Sequence, residues 1–190
     1  MNIQYKAWKL IAIGFGILSA ALLALFLAQW IVTSPQAQAT ITSLGYGGVV
    51  LVAIIGGLNI FLPIPAFTLT PIFTAAGLSL PLIILALTIG TIIADYIGYL
   101  FGHISKPILY SRYPRVITHL ENSITTKPKL LIPITFVFAA FIPLPNEVLI
   151  IPVAVLGVKF RRIFLPLLFG NLLNISIYAT GMQTIFWWWF

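Results

Sequence analysis

Long apolar runs, broken by prolines and by short polar or basic stretches, set the pattern of this chain. A first run covers 10–32, and an uncharged polar linker with Pro35 follows over 33–43. A second run, 49–77, is interrupted by Pro63, Pro65 and Pro71, and a third covers 78–101. The stretch 102–129 is the most polar. A fourth run, 130–157, is interrupted by Pro143, Pro145 and Pro152, and a short basic loop with Lys159, Arg161 and Arg162 follows. The last run, 163–190, ends in Trp187-Trp188-Trp189, a pattern suited to an interfacial anchor. The runs are long and do not alternate, which predicts helices and not strands. The 10–32 run exceeds the roughly 20 residues needed to span a bilayer, so it is read as a retained first helix. Ala37-Gln38-Ala39 is the small-residue pattern that a cleaved leader would use.

An offset of 80 residues aligns two blocks without a gap. Phe61 falls on Phe141, Pro63 on Pro143, Pro65 on Pro145, Gly77 on Gly157 and Gly90 on Gly170. Matched prolines and glycines in one register point to a duplicated unit. Two prolines at i and i+2 stop a helix, because each lacks a donor and disfavours helix at the residue before it. Phe61-Leu62-Pro63-Ile64-Pro65 and Phe141-Ile142-Pro143-Leu144-Pro145 therefore predict two turns within apolar stretches. Non-helical backbone at membrane depth needs protein or a wet cavity around it.

Charge then fixes a topology. All ten Lys and Arg fall in three clusters beside or between apolar runs. Cytoplasmic loops collect such residues. Placing the N-terminus inside, and letting 49–77 and 130–157 dip and return, puts every cation on the cytoplasmic side and the C-terminus outside. The two halves then have opposite orientations. The expected fold class is an all-α integral membrane protein: an inverted-repeat helical bundle with two opposed re-entrant helical hairpins plus about three full transmembrane helices. It is expected as a single membrane domain over 1–190. The first helix is 10–32, the first repeat 48–102, the basic amphipathic cytoplasmic segment 103–129 and the second repeat 130–186. A multi-pass protein of a prokaryotic plasma membrane is the corresponding localisation.

Composition agrees, with 61% hydrophobic and 7% charged residues, against about 25% charged in a soluble domain. The net charge of +7 is distributed as topology charge, which argues against a nucleic-acid partner. There is no cysteine, and His103 and His119 are not spaced as metal ligands. No catalytic set, cofactor motif or metal cluster is found, so an enzyme is the weakest class.

Few residues carry chemistry. Glu147 follows the second turn and is read either as an acid that binds a proton or a substrate cation or pairs with a cytoplasmic arginine, or as a helix N-terminal cap, with Asn146 beside it. Asp95 is placed towards the inner end of the third run, with Gly98 and Gly102 allowing close helix approach. Its expected partner is Arg112 or Arg115, either across a cavity or as an interfacial pair. Arg112, Arg115, Arg161 and Arg162 are read as contacts to phosphate groups or as topology charge, with Arg161 and Arg162 nearest the second turn. Asn171 and Asn174 share a helical face and are read as interhelical packing residues.

The block Phe141-Ile142-Pro143-Leu144-Pro145-Asn146-Glu147 with Gly157 resembles the signature of the DedA superfamily (VTT or SNARE-associated domain). The earlier block, Pro63-x-Pro65 with Gly77, Gly90 and Asp95-Tyr96-Ile97-Gly98-Tyr99-Leu100-Phe101-Gly102, is similar to it too. The resemblance covers about residues 51–181. It implies two facing re-entrant hairpins and movement of a lipid or lipid-linked phosphate across the bilayer, as a polyprenyl-phosphate flippase or phospholipid scramblase, with a proton link left open. Membrane lipids, including polyprenyl phosphate, are the implied partners, and a homo-oligomer is compatible. Two departures stand out. Ala66 and Phe67 occupy positions where members often carry an acid, and 130–157 has no arginine. A membrane assembly factor without transport, or a proton-driven exporter of small solutes, are the alternative readings.

Overall fold

The computed structural model describes residues 19, 22–23, 25–57, 65–112, 114, 118, 128–142 and 144–189. Most of the predicted first helix, 10–32, lies outside the described residues. So do Phe61, Pro63, Pro143, Arg115, His119, Glu121 and Lys127. Among the described residues there is no strand. The helices are α1 (Pro35–Gly57), α2 (Thr70–Ala75, entered by a 3-10 turn over Ala66–Leu69), α3 (Leu80–Arg112), α4 (Leu131–Phe141), α5 (Glu147–Val155) and α6 (Phe160–Trp189).

Among the described residues, three helices are long and apolar enough to cross a membrane: Pro35–Gly57, Leu80–Ile108 and Phe160–Trp188. At 1.5 Å per residue, even the 23 residues of α1 reach about 34 Å, against a hydrocarbon core of about 30 Å. Large apolar side chains such as Phe26, Ile104 and Trp188 stay on the outside, as lipid contact requires. The structure is thus an all-helical one that fits a membrane protein. By contrast α4, with 11 residues, and α5, with 9, reach only about 16 and 14 Å and cannot span alone.

The position of α1 corrects the expected boundaries. Residues 33–43 are not a linker: Ser34 breaks the preceding helical run 25–33, and α1 begins at once. The Ala37 N–H donates to Ser34 Oγ at 3.4 Å and Pro35 fills the first helical position, where its missing donor does no harm. The helix bends at Gly45 (φ 54, ψ −155). The basic segment expected from 103 also begins as helix, since α3 continues through Pro107 to Arg112.

The chain divides into two compact units, Met1–Gly90 with Ile175–Phe190, and Thr91–Asn174. In the first, Val49, Ala53, Ile83, Leu87, Ile175 and Ala179 form the core. In the second, Ile150, Val153, Ile163 and Leu167 do. Each unit carries the same two local devices. One is a helix end. After α2, Gly77 (φ 88) donates to Thr74 O at 2.9 Å and Leu78 to Phe73 O at 3.1 Å. After α5, Gly157 (φ 75) donates to Ala154 O at 3.0 Å and Val158 to Val153 O at 3.2 Å. This is the Schellman arrangement, which needs a residue at ease with positive φ. The other device is a close crossing. A Cβ on Gly90 would stand 2.6 Å from Val50 O and against Ala53 Cβ. A Cβ on Gly170 would stand 3.0 Å from Phe136 O and 2.7 Å from Ala139 Cβ. The glycine in each unit thus meets residues spaced i and i+3 on a facing helix.

The two helix ends differ in one respect that sets up a test. Nothing lies within 4 Å of a Cβ on Gly77, whereas at Gly157 the Lys106 Nζ would be 3.0 Å away. We expect Gly77→Ala to lower stability by about 1 kcal/mol, the backbone term alone. The Lys106 Nζ is the tip of a flexible side chain that can move aside, so Gly157→Ala should lose about as much. Denaturant titration of both variants in micelles checks this, and a clearly larger loss at Gly157 would show that Lys106 is held in place.

Candidate functional site

The second unit buries several of the polar side chains that an apolar protein can least afford. Asp95 is 1% exposed, Glu147 4% and Asn171 4%. Each reaches its place through a local sequence feature. Asp95 lies on α3, next to the middle of the Leu80–Ile108 span and not at its inner end as the sequence suggested. Asn146 and Glu147 open α5 because Pro145 halts the chain before them: Pro145 O accepts from the Val148 N–H at 3.1 Å. Asn171 follows Gly170, whose missing side chain lets α6 close on α4.

Three of these side chains form one hydrogen-bonded cluster. Asn146 Nδ2 donates to Asp95 Oδ1 at 3.2 Å and Oδ2 at 3.1 Å, and to Asn171 Oδ1 at 2.9 Å. Asn171 Nδ2 donates to Asp95 Oδ2 at 2.8 Å. A carboxylate in a spanning helix is expensive unless donors surround it, and here two carboxamides supply them. Glu147 lies alongside. It occupies the first turn of α5, where a carboxylate suits the helix dipole, and its Cγ would be 3.3 Å from a Cβ on Gly98. Gly98 therefore makes room for Glu147.

Neighbouring bonds hold the frame. Asn174 Nδ2 donates to Ala140 O at 3.1 Å, serving a carbonyl in the last turn of α4 that has no partner in its own helix. Tyr99 OH donates to Val158 O at 3.0 Å, just past the Gly157 turn, and Tyr99 packs edge-on against Phe160. At Gly102 a Cβ would stand 2.7 Å from Ile151 O, so α3 and α5 touch there.

Among the described residues, no arginine is part of this cluster. Arg112 is 17 residues beyond Asp95 on the same helix, about 25 Å along its axis, so the expected Asp95–Arg112 pair is not formed. Arg115 lies outside the described residues. Arg161 and Arg162 are exposed at the start of α6, 9 or 10 residues before Asn171, or about 14 Å. The structure brings together Asp95, Asn146 and Asn171, with Glu147 and Gly98 adjoining, and leaves Arg112, Arg161 and Arg162 at helix ends.

In the first unit, the positions after Pro65 carry no acid. Pro65 O accepts from the Thr68 N–H at 3.0 Å and its hydroxyl at 2.8 Å. Phe67 stacks on Tyr178 at 4.7 Å, and Thr74 Oγ1 donates to Gln183 Oε1 at 2.6 Å. The sequence reading missed these two contacts. A threonine and a glutamine in apolar helices were the only signal of the second. Among the described residues no three His, Cys, Asp or Glu converge on a metal position.

No family model, no curated protein and no solved structure matches this chain significantly.

Proposed function

We propose that this protein is a DedA-like membrane transporter that moves a lipid or a lipid-linked phosphate across the bilayer. The observation that carries the reading is the Asp95–Asn146–Asn171 cluster, in which Asp95 and Asn171 are buried, with buried Glu147, beside a turn that separates two helices too short to span. Polar groups kept inside a membrane bundle mark substrate or ion paths. Broken helices put them there in transporters. On this reading α4 and α5 form a re-entrant hairpin entered from the cytoplasmic side. The segment around Pro65 and α2 forms its inverted counterpart, and the recurrence of the Gly77 and Gly157 ends and the Gly90 and Gly170 crossings supports that pairing. Arg161 and Arg162 stand at the cytoplasmic surface, where they meet a phosphate before it enters. Glu147 carries any proton that accompanies the lipid.

The test is a scrambling assay in proteoliposomes with a fluorescent phospholipid and, separately, a polyprenyl phosphate. We expect translocation above empty liposomes for at least one. Glu147→Gln should slow it about tenfold or more if the acid takes part in transfer. Absence of translocation for both lipids sinks the reading in favour of an assembly role.

A further inference from the structure

Asn146 immediately precedes α5 with helical backbone angles (φ −59, ψ −25), and its side chain makes no bond to that helix. Its carboxamide turns to Asp95 and Asn171. A carboxamide carries its oxygen and its nitrogen on one planar group. Rotation about its last torsion exchanges them without moving the backbone. The nitrogens of Asn146 and Asn171 now sit 2.8 to 3.2 Å from the Asp95 oxygens. Turned over, each would set an oxygen at that distance from the carboxylate. Oxygens about 3 Å apart are neighbours in the shell of a cation with bonds of roughly 2.4 Å, the range of Ca²⁺ and of the similarly sized Na⁺.

We propose that Asp95, Asn146 and Asn171 form a binding site for one monovalent cation of sodium size, held by the carboxylate and by the two carboxamide oxygens turned towards it. Charge selects the valence: one carboxylate with two neutral carboxamides balances a single positive charge. Oxygen donors select a hard ion. No three acidic, His or Cys side chains converge among the described residues, as a divalent or transition-metal centre would need. Asp95 and Asn171 are buried, so side-chain oxygens must supply most of the shell; Glu147 adjoins them as the proton-carrying acid of the transport reading and adds no charge. The proposal goes beyond the transport reading: it concerns binding, and lipid movement is a separate measurement.

The experiment uses the full chain in lipid nanodiscs, with radioactive sodium binding at constant ionic strength against choline chloride and potassium chloride. We expect saturation at one ion per chain and about tenfold preference for sodium over potassium, since cavity size and ligand rigidity set selectivity. Asn174→Leu, on the same helix but outside the cluster, should keep the binding. Asn171→Leu should abolish it. Because that variant can fail to fold, Asn171→Asp is the deciding one. As a ligand, aspartate keeps an oxygen and adds charge, so Asn171→Asp binds sodium at least as tightly and its tryptophan-fluorescence melting point rises with sodium. In a network built only of hydrogen bonds, it sets a second carboxylate against Asp95 and melts early with or without sodium. Absent saturable binding in the wild type, or an Asn171→Asp variant that sodium does not stabilise, overturns the proposal. Sodium binding without lipid movement overturns the transport reading alone.

Discussion

Asn171→Leu is expected to destabilise the protein by about 3 kcal/mol, and Asp95→Leu combined with Asn171→Leu by less. The single change removes the shortest bond to the Asp95 carboxylate, 2.8 Å, and the acceptor of Asn146 at 2.9 Å. Asp95 stays in place, 1% exposed and near the middle of a spanning helix. An ionised aspartate at that depth costs about 3 kcal/mol on insertion scales when nothing supports it. Removing both partners replaces the charge by apolar volume and leaves only Asn146, which is half-buried. A neutral interhelical bond in a membrane is worth only about 0.6 kcal/mol on average. The penalty of the single change is therefore mainly the stranded carboxylate, and the double change relieves it. Unfolding in mixed micelles, run on wild type, both single variants and the double variant, measures the coupling. Additive losses would show that the carboxylate is supported by something other than Asn171.

How far the sequence foretold this arrangement depends on the range of each interaction. Period and punctuation were legible, because they act within a few residues. Among the described residues the apolar runs became helices, Pro65 and Pro145 each open one, and Gly77 and Gly157 end theirs with the same pair of backbone bonds. The 33–43 error was also local. Ser34-Pro35 is a helix start, but the uncharged Gln, Thr and Ser residues after it read as linker, and the apolar residues continuing to Gly57 overrode them. The third run, ended at 101, erred in the opposite sense, since α3 continues through Pro107 to Arg112. The cluster itself was legible only as a list of polar residues. Asn146 and Asp95 are 51 positions apart, and Asn171 and Asp95 are 76 apart. No periodicity links such pairs. Charge complementarity then favoured an arginine for Asp95. Two carboxamides do the same work at a midplane that Arg112, at the helix end, cannot reach.

Gly170→Leu is expected to cost more than 3 kcal/mol and to remove the Asp95 cluster as well. Inserting side-chain volume into a tight contact costs about 1–3 kcal/mol even where neighbours can move. Here a Cβ alone would lie 2.7 Å from Ala139 Cβ, 3.0 Å from Phe136 O and 3.3 Å from Ala140 N. Two of those three are backbone atoms of α4, which no rotamer can withdraw. The helices must part by an ångström or more. The Asn174–Ala140 bond at 3.1 Å then breaks, and Asn171, the next residue after Gly170, is carried away from Asp95. Gly90→Leu meets the same crowding from Val50 and Ala53 but touches no residue of the cluster, so its loss is confined to packing. Gly181, on the same helix as Gly170, has nothing within 4 Å of a Cβ, and Gly181→Leu should stay within about 0.5 kcal/mol of wild type. Stability and lipid movement measured on all three variants separate the effects. Gly90→Leu should lose stability and keep its activity per folded molecule, while Gly170→Leu loses both. If Gly170→Leu keeps full activity per folded molecule, the crossing of α6 on α4 does not position Asn171.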